Sequence, residues 1–160
     1  HLQTVYVPIG LGSGACAAIA AKLALQHPVK IVGVVSTGAT TYLDSIAAGE
    51  VVDAPVSTTL ADGMAVRRAD PAALAVLRQH LERIVAVSDA EVATAMRLLF
   101  TDTHNAAEGA GAAALAAALQ EQAQLAGQTV GLALTGGNVD APVFAQALQR
   151  QAVQQSSALT

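Results

Sequence analysis

A glycine-rich turn near the start of the chain carries the groups needed to bind a phosphate. The segment reads Val5-Tyr-Val-Pro-Ile-Gly10-Leu-Gly12-Ser-Gly14, an apolar run that leads directly into glycines and then into a helical pattern. Glycines let backbone N–H groups converge without obstruction by Cβ atoms, and a helix N-terminus adds partial positive charge. Ser13 adds a hydroxyl donor. The spacing therefore indicates an anion site that needs no lysine in the turn.

Two better-known glycine motifs fit this turn poorly. A Walker loop would close with Gly-Lys-Ser/Thr, which the turn lacks. A dinucleotide fingerprint would read G-x-G-x-x-G and would place an acid after the next strand, whereas the turn reads G-x-G-x-G and that strand ends at Ser36. A purely structural tight turn stays open as an alternative. Clustered glycines cost backbone entropy, which favours phosphate binding, but the turn alone does not identify the ligand.

A second glycine turn lies near the other end of the chain. Residues 130–140 read Val-Gly-Leu-Ala-Leu-Thr-Gly-Gly-Asn-Val-Asp, again a strand, a turn and a capped helix. Because the carboxyl ends of parallel strands meet at one edge of a sheet, we predict that Thr135 and the first turn open on a common crevice.

Four motifs in a fixed order produce a family resemblance. They are Gly-Leu-Gly-Ser-Gly at 10–14, Ala-Asp-Gly-Met-Ala at 61–65, Ala-Glu-Gly-Ala-Gly at 107–111 and Thr-Gly-Gly-Asn-Val-Asp at 135–140. Together they resemble the fold-type II pyridoxal-phosphate (PLP) enzymes, and most of all the threonine/serine dehydratases (threonine ammonia-lyases) and serine racemases. The resemblance extends from Thr4 to about Leu148, and four ordered motifs are far more specific than one glycine turn.

The resemblance implies pyridoxal 5'-phosphate as the cofactor and assigns residues to it. The phosphate would lie on the first turn, formed by Gly10, Leu11, Gly12, Ser13 and Gly14. The hydroxyl of Thr135, where the family has serine, would face the pyridine nitrogen. Gly63 would line the cofactor and Glu108 would lie near the ring and the substrate. An ordinary turn glycine and a carboxylate that complements a helix dipole are the structural alternatives for these last two residues.

A hydroxyl at the ring nitrogen has a chemical consequence. Unlike a carboxylate, it lets the nitrogen stay neutral, which moderates the electron sink and favours loss of a β-hydroxyl group. The resemblance accordingly implies dehydration and deamination of L-threonine or L-serine to a 2-oxo acid and ammonia. A PLP racemase or a dehydratase of another hydroxy-amino acid is the nearest alternative. A noncatalytic module that binds a phosphorylated ligand or regulates an enzyme is the alternative from a different class.

The catalytic lysine of the family has no counterpart in this chain. Family members carry that lysine, and the asparagine loop for the substrate carboxylate, upstream of the first glycine turn. The lysines here are Lys22, on the first helix, and Lys30, at the start of a strand. We therefore predict that residues 4–151 are the C-terminal part of a catalytic domain, that the N-terminal half is missing, that residues 152–160 are frayed, and that the isolated chain is inactive.

Other reactive side chains give weak signals. Family members with an activating divalent cation have acids after the second strand, but here Asp44 is the first acid, so we predict that this metal site is absent or weak. His27, His80 and His104 lack ligand spacing and are expected at the surface or at helix ends. Cys16, the single cysteine, is expected to be a small buried residue. One cysteine excludes an internal disulfide and agrees with a cytoplasmic location.

The elements that must position these motifs alternate between strands and helices. This alternation predicts an α/β fold with a mostly parallel sheet flanked by helices, which is the large-domain half of the tryptophan synthase β-like fold if the resemblance holds. The predicted strands are Thr4–Ile9, Lys30–Ser36, Arg83–Val87 and Thr129–Thr135. The predicted helices, besides the one after the first turn, are Pro71 to about Leu81, Ser88 to about Phe100, Ala106–Gln120 and Asp140 to about Gln151. Residues 54–68 are predicted to form a long loop.

Composition excludes several classes of partner. The net charge is −4 without a basic cluster, which argues against nucleic acid. Polar residues interrupt every apolar run before it could span a membrane. Hydrophobic residues make up 53% of the chain and charged residues 12%, too few charges to cover an isolated domain. We therefore expect buried contacts with the missing half. The resemblance further implies a homo-oligomer, with which the low charge content agrees, and a small-molecule amino-acid substrate.

Overall fold

A parallel sheet covered by helices on both faces forms the framework of the chain. The computed structural model describes residues 1–149. The strands are β1 (Thr4–Pro8), β2 (Lys30–Ser36), β3 (Arg83–Val87) and β4 (Val130–Leu132), and their spatial order is β3-β2-β1-β4. The helices are α1 (Ser13–Ala24), α2 (Thr41–Ala48), α3 (Pro71–His80), α4 (Asp89–Thr103), α5 (Gly109–Gln120) and α6 (Ala141–Gln149), with a 3₁₀ helix at Asp62–Met64. Every strand pair is parallel, which confirms the predicted α/β class.

Alternating side chains along the strands divide the interior into two cores. On β1, Tyr6 packs with α4 and α5, whereas Val7 packs with α1 and α3 on the opposite face. On β2, Val32 and Ile31 divide in the same way. This alternation follows from the two-residue period of a strand. Because both faces are covered, the central strands are almost continuously apolar.

Two helix starts agree with the capping signals in the sequence. The Asp70 carboxylate accepts a hydrogen bond from the Ala73 N–H (2.8 Å), and Pro71 occupies the first helical position of α3. At α4, Ser88 and Glu91 form both hydrogen bonds of a capping box. Each cap satisfies N–H groups that the first turn of a helix cannot pair internally, so these predicted starts are confirmed.

Several predicted boundaries need correction. Helix α2 was not predicted, because its short polar start carries no strong signal and its buried Tyr42 and Ser45 depend on tertiary contacts. Strand β4 is shorter than predicted, because only Ala133 continues its hydrogen bonding before the chain turns towards the second glycine turn. Helix α5 begins at Gly109 rather than Ala106, and α4 continues to Thr103. The predicted end of the last helix at Gln151 and the frayed residues 152–160 lie outside the described residues.

Strand β4 forms one edge of the sheet. Within residues 1–149 it pairs with β1 alone, and Leu132 and Leu134 beside this edge are 40% and 44% exposed. No helix in the same range is long and apolar enough to cross a membrane.

A charged network fixes α5 to the sheet at the end remote from both glycine turns. Arg83 Nε donates to Glu121 Oε1 (2.9 Å), and the Tyr6 hydroxyl donates to Glu121 Oε2. The hydrogen bond and charge of Arg83 lower the pKa of Glu121. Burial and the hydrogen bond to Glu121 raise the pKa of Tyr6 to about 12. Glu121 is therefore ionised and Tyr6 neutral at physiological pH.

Replacement of Glu121 should test this network. We expect Glu121→Gln to lower the free energy of unfolding by about 1.5–3 kcal/mol, because a charge-assisted pair with a carboxylate only 14% exposed is lost. The folded state lowers the pKa of Glu121, so its contribution is present above the unfolded pKa and fades as pH falls through the folded pKa. In urea unfolding, the difference in stability between the variant and the unaltered chain should thus be smaller in acid than at neutral pH. Glu82→Gln, which removes the exposed ion pair with Lys30, is the control and should change stability much less. Equal losses in the two variants would contradict this account.

Candidate functional site

The two glycine turns lie at the carboxyl end of the parallel strands and line one cavity. Strands β1 and β4 are parallel neighbours, so the segments that follow them leave the sheet on the same side. The cavity has a volume of about 480 Å³, within the range of small-molecule sites. Its lining includes every residue that the resemblance assigns to the cofactor: Gly10, Leu11, Gly12, Ser13, Gly14, Gly63, Glu108 and Thr135. Pro8, Met64, Val66 and Ala110 complete it.

The first turn presents unpaired donors at the start of α1. Within residues 1–149, no protein group accepts a hydrogen bond from the backbone N–H of residues 10–14. The Ser13 hydroxyl likewise has no protein partner in that range, and the residue is exposed. Since α1 begins at Ser13, its dipole adds positive potential at the same place. The arrangement fits a phosphate group.

A buried tyrosine that the sequence did not reveal supports this turn. The Tyr42 hydroxyl donates to the Leu11 carbonyl oxygen (2.6 Å) and accepts from the Asp70 N–H (3.2 Å). Burial raises the pKa of Tyr42, so the hydroxyl stays protonated and available to donate. Tyr42 lies on the unpredicted α2, and no local pattern links it to the turn. The one indication in the sequence was that Tyr42 is one of a few aromatic residues in a largely aliphatic chain.

Gly10 and Gly12 are required by backbone geometry. A Cβ atom at Gly10 would overlap the carbonyl oxygen of Gly63, which belongs to the long loop. Gly12 has a φ of +96°, and a Cβ atom there would lie 2.8 Å from Cβ of Ala73. These contacts bring the loop and α3 directly against the turn.

The opposite wall is formed by the N-terminus of α5 and the second glycine turn. The Glu108 N–H donates to the Gly136 carbonyl oxygen (3.1 Å), and a Cβ atom at Gly136 would overlap the Glu108 carboxylate. Glu108 occupies the N-cap position of α5, but its side chain caps no N–H. Glu108 lines the cavity, and its carboxylate lies against Gly136 in the field of the helix dipole. Thr135 is exposed at the same wall.

The remaining reactive side chains lie away from the cavity. Lys22 is in the last turn of α1, and Lys30 begins β2, where it pairs with Glu82 (2.9 Å). Cys16 is partly buried beneath the turn, and burial raises its pKa. The three internal histidines lie at or just beyond helix ends: His27, His80 and His104. Within residues 1–149, no group of three or more His, Cys, Asp or Glu side chains is arranged to hold a metal ion.

The fold and the cavity together define a class of protein. A parallel α/β sheet has two glycine turns at its carboxyl edge, with a helix N-terminus and a hydroxyl beside one cavity. Such an edge is where open α/β sheets bind phosphorylated ligands. The geometry thus describes an α/β domain suited to a small ligand that carries a phosphate.

Comparison with known families identifies the group. The family described as "Pyridoxal-phosphate dependent enzyme" matches residues 1–136. The chain belongs to this family.

Curated relatives include β-hydroxy-amino-acid lyases. The chain is 37% identical over 151 residues to the L-threonine ammonia-lyase of Geobacter sulfurreducens, and the match covers 93% of this chain and 37% of the relative. It is 36% identical over 149 residues to the phenylserine dehydratase of Ralstonia pickettii, covering 92% and 45%. The chain therefore spans less than half the length of these relatives.

Solved structures of the same family share the fold. The threonine deaminase of T.th. superposes with a TM-score of 0.81 at 34% identity, covering 88% of this chain and 51% of that chain. Maize serine racemase gives a TM-score of 0.82 at 25% identity, covering 98% and 49%. These matches confirm the predicted fold-type II architecture.

Alanine substitutions at two glycines of positive φ should separate the strain of the substitution from its place in the turn. We expect Gly12→Ala to destabilise the turn and abolish inorganic phosphate binding, because of its positive φ and the contact with Ala73. Gly49→Ala is the matched control, since Gly49 also has a positive φ (+80°) but ends α2 outside the cavity. It should bind phosphate normally. Calorimetric titration with inorganic phosphate measures both, and normal binding by Gly12→Ala would contradict the assignment.

Proposed function

We propose that this chain is the segment of a PLP-dependent ammonia-lyase that supplies the phosphate turn and the ring-nitrogen contact. The parent enzyme would convert L-threonine or L-serine to a 2-oxo acid and ammonia. The observation that carries the proposal is the single cavity in which free N–H groups, the Thr135 hydroxyl and the Glu108 carboxylate meet. The ammonia-lyase and dehydratase names of its relatives support this reaction class.

Residues of the cavity would contact PLP both at its phosphate and at its pyridine nitrogen. The N–H groups of residues 10–14 and the Ser13 hydroxyl would hold the phosphate. Thr135 would place its hydroxyl at the pyridine nitrogen and orient the ring without holding that nitrogen protonated. When bound, PLP supplies the electron sink for chemistry at the α-carbon of an amino acid.

Other cavity residues would shape the site around the ring. Gly63 leaves room for close approach along one wall, because it carries no side chain. The Glu108 carboxylate would add negative charge near the ring and the substrate. Covalent attachment and binding of the substrate carboxylate are left to the half of the enzyme that this chain lacks. We further propose a cytoplasmic homo-oligomer, in agreement with the single cysteine and the low charge content.

Thr135→Val should weaken the contact with the ring of PLP without changing the contact with its phosphate. The variant keeps the shape of the side chain but removes the hydroxyl, so we expect PLP to bind about tenfold more weakly, as for one lost hydrogen bond. Inorganic phosphate should bind as before, because the first turn is unchanged. Thr101→Val, at an exposed position on α4, is the control. Equal losses for PLP and phosphate would place Thr135 outside the ring contact.

The unaltered chain should bind the cofactor without catalysing the reaction. We expect weak PLP binding, no specific covalent attachment and no 2-oxobutanoate from threonine, because Lys22 and Lys30 lie away from the cavity. The test is titration with PLP, reduction with borohydride and mass-spectrometric mapping of pyridoxyl-lysine. A stoichiometric adduct on either lysine together with turnover would overturn the assignment of the catalytic lysine to the missing half. Absence of any PLP binding would count against the proposed function itself.

A further inference from the structure

The loop that bears Gly63 has little regular structure to hold it in place. Residues 49–69 join α2 to α3, and their regular features are the 3₁₀ helix Asp62–Met64 and an isolated bridge between Asp53 and Arg68. The Ser57 and Thr58 N–H groups donate to the Gly38 carbonyl oxygen (2.8 and 3.4 Å), and side-chain hydrogen bonds add to this anchor. The loop nevertheless forms part of the cavity wall through Gly63, Met64 and Val66.

One carboxylate outside the cavity accepts hydrogen bonds from the middle of this loop. Asp89 Oδ1 accepts a hydrogen bond from the Thr58 hydroxyl (2.5 Å). Asp89 Oδ2 accepts from the Thr59 N–H (2.9 Å) and from the Thr59 hydroxyl (3.2 Å). Burial would raise the pKa of Asp89, but the hydrogen bonds from the two threonines outweigh it and the pKa is lowered. The carboxylate is thus held ionised, which strengthens each of these hydrogen bonds.

Asp89 is not needed to cap its own helix. It is the first residue of α4, but Ser88 and Glu91 already form the complete capping box there. Both oxygens of Asp89 are directed to the loop instead, so the contact is a connection between α4 and the loop.

The connection reaches the cavity through consecutive backbone contacts. The Thr58 hydroxyl also accepts a hydrogen bond from the Ala61 N–H (3.2 Å), which shapes the turn that leads to Gly63. The Gly63 carbonyl oxygen then fills the space that a Cβ of Gly10 would need. On the other side, the Leu60 carbonyl oxygen fills the corresponding space at Gly109, the first residue of α5.

We propose that Asp89 is a positioning residue that holds the Gly63 loop against the first glycine turn by way of Thr58 and Thr59. Asp89 itself does not line the cavity. The importance of this wall for a cofactor rests on the function proposed above, whereas the connection itself does not.

Nuclear magnetic resonance of the chain without ligand tests the connection. Thr58→Val removes the hydroxyl while preserving shape, and Thr58→Ser retains the hydroxyl. We expect the amide resonances of Gly10, Gly12 and Gly63 to shift or broaden in Thr58→Val and in Asp89→Ala, and to stay close to their original positions in Thr58→Ser. Asp44→Ala is the matched control, because Asp44 also accepts from a threonine hydroxyl (Thr40, 2.6 Å) in the first turn of a helix.

Titration of PLP into the same samples tests the consequence for the cavity. We expect Thr58→Val to bind PLP about tenfold more weakly than Thr58→Ser. Unchanged glycine resonances in Thr58→Val and Asp89→Ala overturn the proposal, and so does equal PLP affinity in the two Thr58 variants. If the unaltered chain binds no PLP, the proposed function fails, and the resonances decide the connection by themselves. If Asp89→Ala does not fold, the comparison of Thr58→Val with Thr58→Ser decides the proposal.

Discussion

Direct backbone contact at glycine positions is the constraint on which the cavity depends. The Gly63 carbonyl lies where Gly10 has no Cβ, and the Gly136 carbonyl lies where Gly111 has none. Together with the Leu60 carbonyl, which lies where Gly109 has no Cβ, these contacts join the first turn, the long loop, α5 and the second turn, which are far apart in sequence. A side chain at either position would separate two walls by the width of a methyl group or more. The sheet sets the direction of the turns, and the glycines set how closely they approach.

The ends of two helices give the cavity an uneven distribution of charge. The N-terminus of α1 presents free N–H groups without an acidic residue in its first turn. The N-terminus of α5 carries Glu108, whose carboxylate offsets the dipole. One end of the cavity therefore attracts an anion, and the other carries its own negative charge. In the proposed function, this polarity would direct a phosphate to the α1 end of the cavity, whose lining residues within 1–149 include no arginine or lysine.

Local signals predicted the parts of this structure that depend on neighbouring residues, and they failed where distant residues decide. The capping box at Ser88 and the glycine motifs lie within a few residues of chain, so they could be read directly. Helix α2 could not be predicted, because it is held by the contacts of Tyr42 with residues of the first turn and of α3. The contact of Asp89 with Thr58 joins residues 31 positions apart. Covariation rather than pattern would be needed to find it.

Within residues 1–149, β4 is an edge strand that pairs on one side with β1. Strand edges carry unpaired N–H and C=O groups that can pair with any extended segment. Here the edge lies beside the exposed Leu132 and Leu134, only a few residues before the second glycine turn. A net charge of −4 provides modest repulsion between copies. Strand pairing at this edge would be one route to self-association in concentrated samples, and a chain that covers β4 would block it.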